Sequence, residues 1–214
     1  MPARTWALSG VLLAGLVLLT MSGCSPTGDE TLFTKSPSPS AAPPASAAPA
    51  PEVPEAAPTV AAPTEIAVPT GLALVVVLPG AGTAGADQAD AARDALTVFA
   101  SANAASVTLL DVGQTTDANV VYQRALDSDP DVVVTVGPAG LDGLQKVAAD
   151  HPEREFLVLG AKPNAPTANI TAVVWPGSDA SPVAADLAAR VPSAVAAGIS
   201  EITAARTGLV IALP

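Results

Sequence analysis

Cysteine, aromatic rings and positive charge are all scarce in this sequence. One cysteine, Cys24, among 214 residues excludes an internal disulfide framework and any zinc site built on cysteine pairs. Lys and Arg number nine against twenty Asp and Glu, a net charge of −11. Nucleic acid is therefore excluded as a partner, because phosphate binding needs clustered cations. The single histidine, His151, has no second histidine with which to hold a metal. Preceding Pro152 where a helix should end, it reads as a solvent-facing cap. Aromatic residues number six (Trp 2, Tyr 1, Phe 3), so any core must be aliphatic. What is abundant is proline, with 22 copies, and small apolar residues. Their uneven spread divides the chain into three parts.

Residues 1–23 have the layout of an export signal. Arg4 and the α-amino group supply positive charge, Trp6 to Leu19 is an uncharged, mostly apolar run, and small residues follow. As a helix that run reaches only about 21 Å, short of the ~30 Å hydrocarbon core of a bilayer. Met21-Ser22-Gly23-Cys24 resembles the bacterial lipobox, in which the cysteine thiol receives a diacylglyceryl group and becomes the new N-terminus. Met21 stands where leucine is usual. Acyl chains such as palmitate add ~0.8 kcal/mol per buried CH₂, and two chains suffice for stable anchoring. Lipidation at Cys24 would hold the protein on the extracytoplasmic face of the bacterial cell membrane.

Residues 24–70 read as a linker behind that anchor. Residues 25–70 contain 11 Pro, 11 Ala, 5 Ser and 6 Thr, 33 of 46 positions. Blocks such as Ser36-Pro37-Ser38-Pro39-Ser40 cannot build helix interiors or central strands, because proline lacks the amide donor. With little bulky apolar surface to offset chain ordering, a disordered tether with polyproline character is expected. Fully extended, it would reach on the order of 140 Å.

From residue 71 to 214 the texture changes to apolar runs of strand length separated by helical patterns. The runs are Leu72–Leu78, Ser106–Val112, Asp131–Val136, Glu155–Leu159, Ile170–Trp175 and Leu209–Leu213. Runs without alternation suit strands covered on both faces, as in a parallel sheet. Between them, Ala92, Leu96 and Phe99 share one helical face, as do Leu141, Leu144, Val147 and Ala148. Val121 with Ala125, and Val195 with Ile199 and Ile202, mark two more. The alternation predicts an α/β fold with a doubly wound, mostly parallel sheet of about six strands. In such a sheet, ligands collect beyond the carboxyl ends of the strands. Those ends are Pro79–Ala86, Asp111–Thr116, Gly137–Gly140, Gly160–Ala168 and the turn after Trp175.

Gly80-Ala81-Gly82-Thr83-Ala84-Gly85 matches GxGxxG directly after the first of these strands and before a helix. That is the setting of a dinucleotide fingerprint, with Asp111 at the end of the next strand as the ribose-binding acid. Two features oppose this reading. Asp111 lies 26 residues past Gly85, and Asp87, Asp90 and Asp94 crowd the helix start, where they would repel a bound anion. No Walker lysine follows Gly85, and no G-x-S-x-G elbow is present. Asp127-Ser128-Asp129-Pro130-Asp131 begins like a calcium loop. However, Val132 and Pro138 occupy the positions that need Gly and Glu, so it reads as a turn. Trp175, at the end of a strand beside Pro176, is either packing or a ring for a ligand to stack on. No catalytic constellation emerges, so the chain reads as a non-enzyme that needs no cofactor or metal.

Asp131–Gly137, the helix with Val147-Ala148, His151-Pro152 and Phe156–Leu159 together resemble the basic membrane protein (BMP) family of substrate-binding lipoproteins. Asn169–Val173, Ala194–Gly198 and Thr207–Val210 continue the likeness, which covers most of residues 71–214. The resemblance implies a periplasmic-binding-protein-like lobe and a nucleoside-like small ligand. It also implies an ABC permease as partner. Asp87, Gly137 and the Gly80–Gly85 loop match that family's binding positions. Asp87-Gln88-Ala89-Asp90-Ala91 keeps the first acid of the family's Asp-x-Ser-Phe-Asn stretch and lacks its ring. Pro214 falls where the family's second lobe begins, so one lobe is expected. With Asp111 and Trp175 from the strand ends, the candidate ligand residues are Gly80, Gly82, Gly85, Asp87, Asp111, Gly137 and Trp175. The alternatives are an envelope interaction module without a small ligand and, third, a nucleotide-cofactor enzyme.

Overall fold

The computed structural model describes residues 56–164, 167–178 and 184–214. The expected export signal, Cys24 and the expected linker up to residue 55 lie outside the described residues. Seven strands, β1 (Thr59–Ala61), β2 (Ala73–Pro79), β3 (Ser106–Val112), β4 (Val132–Val136), β5 (Phe156–Leu159), β6 (Ile170–Val174) and β7 (Val210–Ala212), form one sheet. Its order is β1-β7-β6-β5-β4-β2-β3, and every pairing is parallel. Four helices accompany it: α1 (Ala89–Asn103), α2 (Ala118–Leu126), α3 (Leu141–Asp150) and α4 (Ala184–Thr203).

Alternate residues of each strand enter opposite cores. Leu74, Val76 and Leu78 of β2, with Val134 and Leu157, pack against α1 and α4 through Leu96, Phe99, Val195 and Ile199. Val75 and Val77, with Val133, Phe156 and Val158, pack against α2 and α3 through Val121, Tyr122, Leu144 and Val147. Burying each large aliphatic side chain contributes about 1.5–3 kcal/mol, and both faces of β2 and β4 collect it. That two-sided burial explains why these strands carry unbroken valine runs. The expected doubly wound sheet is present, and all six sequence-assigned strands form within one or two residues of their expected limits.

One feature differs from the sequence reading. The seventh strand, β1, lies in the stretch assigned to the linker. Thr59, Val60 and Ala61 pair with Val210, Ile211 and Ala212. Beyond it the chain is held to α4, because the Ala67 amide donates to Ser200 Oγ at 3.2 Å. Ala62 and Val68 pack on one core and Ala57 on the other. An uncovered β7 would present a row of unpaired amides and carbonyls at the sheet edge. Three exposed residues, too few to hold a strand by themselves, suffice to cover it, since the partner strand supplies the order.

Candidate functional site

The connections from β2 and β4 leave the sheet in opposite directions, β2 toward its neighbour β3 and β4 toward its neighbour β5. A crevice opens at such a switch point, beyond the carboxyl ends of the strands. A cleft of about 730 Å³ lies there, lined by loops that follow β2, β3, β4, β5 and β6. Thr83 comes from the first loop, Gln114 and Thr116 from the second, Pro138 to Gly143 from the third, Lys162 and Asn164 from the fourth, and Ser178 from the last.

The walls are held by short-range contacts. Gly80 N–H donates to the Val112 carbonyl at 2.8 Å, and a Cβ on Gly80 would meet that oxygen at 2.9 Å. Glycine is therefore required for β2 and β3 to close together at the rim. The Gln114 side-chain amide donates to the Gly82 carbonyl, joining the first two loops. Asp117 caps α2 by accepting from the Asn119 amide at 2.9 Å, which fixes the end of the second loop. Gly140, at φ 78°, starts α3 with no side-chain cap. Behind it the Tyr122 hydroxyl lies 3.0 Å from Thr135 Oγ1, fully buried. Burial pushes that phenol up to about 12, and the Thr135 hydrogen bond offsets part of the rise. Tyr122 is thus a neutral strut under the third loop, not an acid or base.

None of the sequence-assigned ligand residues lines the cleft directly. Gly80 and Gly82 hold the first loop as described. Gly85, at φ 88°, turns the chain into the short 3₁₀ turn Ala86–Gln88 that leads into α1. Asp87, in that turn, is exposed. Asp111 accepts from Arg93 Nη2 of α1 at 3.0 Å on the outer strand, so its side chain is held on the α1 face. Gly137, at φ 74°, donates its N–H to Leu159 O at 2.8 Å, and no atom lies within 4 Å of where its Cβ would be. Its role is the left-handed turn out of β4. Trp175 is 5% exposed and belongs to the α1/α4 core. Its ring lies against Gly160, where a Cβ would meet it at 2.9 Å. Packing, rather than ligand stacking, is its contact.

The residues that do face the cleft were legible only as loops. Gln114, Thr116, Lys162, Asn164 and Ser178 follow strand ends, which is the one signal that finds them. Among the described residues of the lining, Lys162 and Asp142 carry charge and none is aromatic. Among the described residues no group of three His, Cys, Asp or Glu could hold a metal ion. Among the described residues the cleft offers hydrogen-bonding amides and hydroxyls, one ammonium and one carboxylate, groups able to hold a polar solute.

Neither a protein-family model nor a curated protein matches the chain in sequence. Solved structures resemble it at low identity. A fragment described as a lipoprotein from Peptoclostridium difficile 630 aligns over 64% of this chain and 99% of its own length, at 16% identity and TM-score 0.48. An ABC transporter solute-binding protein from Aeropyrum pernix aligns over 49% of this chain at 21% identity and TM-score 0.40. A LacI transcriptional regulator from a Rhodococcus species aligns over 66%, at 13% identity and TM-score 0.38. The chain spans 28% of the length of the second protein and 56% of the third. At these identities and scores, none of the three says what this chain binds.

Proposed function

We propose that this protein is an extracytoplasmic lipoprotein, anchored through Cys24, whose α/β domain captures a polar small molecule as the solute-binding component of an ABC importer. The observation that carries the reading is the cleft at the switch point, with polar groups converging from five loops. Its volume of about 730 Å³ is within the range of small-molecule sites. The resemblance of residues 131–174 to the BMP family suggests a nucleoside-like solute, held by other residues than Asp87 and Gly137, which do not line the cleft. A second reading, an envelope interaction module without small ligand, is favoured by the absence of an aromatic ring among the described residues of the lining. The dinucleotide-enzyme reading has lost its supports: Asp111 is held by Arg93, and the glycines of the fingerprint serve contacts within the loop walls.

Two experiments test this. Replacing Cys24 by serine is expected to move the protein from the membrane fraction to the soluble fraction of its bacterial host. A Cys24→Ser protein that stays with the membrane would end the lipid-anchor assignment. For the solute, Trp175 is a built-in reporter, since its ring supports the Gly160 floor of the cleft. Titration of the full chain with nucleosides and with sugars should give a saturable change in tryptophan fluorescence, at least tenfold weaker in Lys162→Ala. No change with any solute would decide for the interaction module.

A further inference from the structure

A second cavity, of about 430 Å³, lies at the opposite, amino ends of the strands, where β5, β6 and β7 begin. It is separate from the cleft, and none of its lining residues is shared with it. Two side-chain oxygens on its lining residues are buried without a hydrogen-bond partner: Glu155 Oε2 and Thr167 Oγ1. Buried polar atoms are rarely left unpaired, and each such atom points to a ligand, an ion or an ordered water. The carboxylate is the informative one: Glu155 is half-buried, and withdrawing its Oε2 from water with no partner is costly for the charged form.

The surroundings select the sign of what would pair with it. The cavity abuts the last turn of α3 through Ala148 and Ala149, the negative end of the helix dipole. The cations next in sequence to the lining are already engaged. Arg154 Nη2 lies 2.6 Å from Asp129 Oδ1, and Arg206 donates to Glu201. His151 Nδ1 is 3.5 Å from Glu153, and Asp150 adds a further acid at the helix end. The Asn169 amide nitrogen is spent on the carbonyls of Ala148, His151 and Arg154, at 2.9, 3.0 and 3.0 Å. Among the described residues nothing donates to Glu155 Oε2. Thr167 Oγ1, on the same lining, can also accept a hydrogen bond.

From these placements we infer that the cavity is a second ligand site, for a small primary ammonium ion whose N–H groups satisfy Glu155 Oε2 and Thr167 Oγ1. Such a ligand supplies both the positive charge and the donors the site lacks, and a charge-assisted hydrogen bond to a carboxylate is among the stronger kinds. Burial holds the Glu155 carboxyl above its usual range, so ionisation is opposed until a cation is present. Ammonium binding should accordingly weaken as pH falls and Glu155 takes up a proton.

Ethylammonium chloride is the probe, added to the full chain in detergent and followed by calorimetry and thermal unfolding. The expected result is a saturable heat and a rise in melting temperature at pH 7. Both should be at least tenfold weaker in Glu155→Gln and several-fold weaker in Thr167→Val. Glu155→Gln keeps the side-chain volume, and without ligand it should melt no lower than the parent at pH 7, since it removes a poorly solvated charge. Tetramethylammonium chloride, which has the charge and no N–H, should give no saturable signal. An equal response to it, or to sodium chloride at the same ionic strength, would overturn the inference in favour of charge screening. Absence of any saturable response to ethylammonium would overturn it in favour of an ordered water. Lys162→Ala should leave the ammonium response unchanged, so the outcome is independent of whether the cleft binds a solute.

Discussion

Asn169→Leu should lower the melting temperature by roughly 10 °C. Asn169 is 6% exposed, and its amide nitrogen reaches three backbone carbonyls, two in the last turn of α3 and its cap and one in the turn before β5. Leucine has similar bulk and no donor. The Ala148 bond is buried, the other two are half-buried, and the His151 carbonyl keeps the Arg154 N–H; at about 1–3 kcal/mol for a buried carbonyl that loses its partner, a total loss of about 3 kcal/mol is expected. In a domain of this size 1 kcal/mol corresponds to roughly 2–4 °C. Asn169→Asp provides the check on mechanism. A carboxylate facing three carbonyls should be as damaging at pH 7 and less so near pH 4, where the protonated acid can donate one bond. Thermal unfolding at the two pH values reads the difference. If both variants melt within a few degrees of the parent at either pH, the amide is not what closes the turn.

The second large effect concerns the contact between α2 and α3. A Cβ on Gly143 would stand 2.6 Å from Ala118 Cβ, 3.1 Å from the Ala118 carbonyl carbon and 3.2 Å from the Asn119 nitrogen. Two of these three atoms are backbone, so no side-chain rotation relieves the overlap and the helices must separate. Alanine at this helical position would otherwise gain about 1 kcal/mol over glycine. Overpacking costs of about 1–3 kcal/mol outweigh that gain, and Gly143→Ala should destabilise by about 2 kcal/mol in denaturant unfolding. In an Ala118→Gly background the penalty should shrink by about 1 kcal/mol, the signature of two residues in direct contact. Additive effects would show that the helices have another way to accommodate the methyl group. Both residues line the cleft, so its solute affinity should fall in Gly143→Ala as well.

Strand identity was readable because two-sided burial demands continuous apolar residues. Val132 to Val136 and Phe156 to Leu159 announce central strands without any other information. The helix faces were readable for a related reason, since only the stripe through Leu144, Val147 and Ala148 meets the sheet. β1 was not readable. Thr59-Val60-Ala61 lies between prolines at positions 58 and 63, and all three residues are exposed. Its order comes from the free edge of β7, which no local pattern encodes. The glycine-rich stretch was ambiguous in the sequence for a comparable reason. The same glycines that let a backbone approach a phosphate also let β2 and β3 meet at the Gly80–Val112 contact.

By itself the sequence determined the α/β class of the C-terminal part and the parallel character of the sheet, and it predicted an export signal and a proline-rich tether ahead of them. It also pointed to a handful of strand-end loops as the setting of the switch-point cleft. These follow from composition and period, which act over a few residues at a time. Tertiary structure alone decided which side chains in those loops face a common space, that Asp111 turns to Arg93, and that Trp175 is packing. It also decided that Glu155 and Thr167, twelve residues apart in the chain, line one cavity at the amino ends of the strands. Such juxtapositions depend on strand order and on the side of the sheet each helix takes. Sequence spacing carries neither, because residues neighbouring across a parallel sheet are joined by whole crossovers.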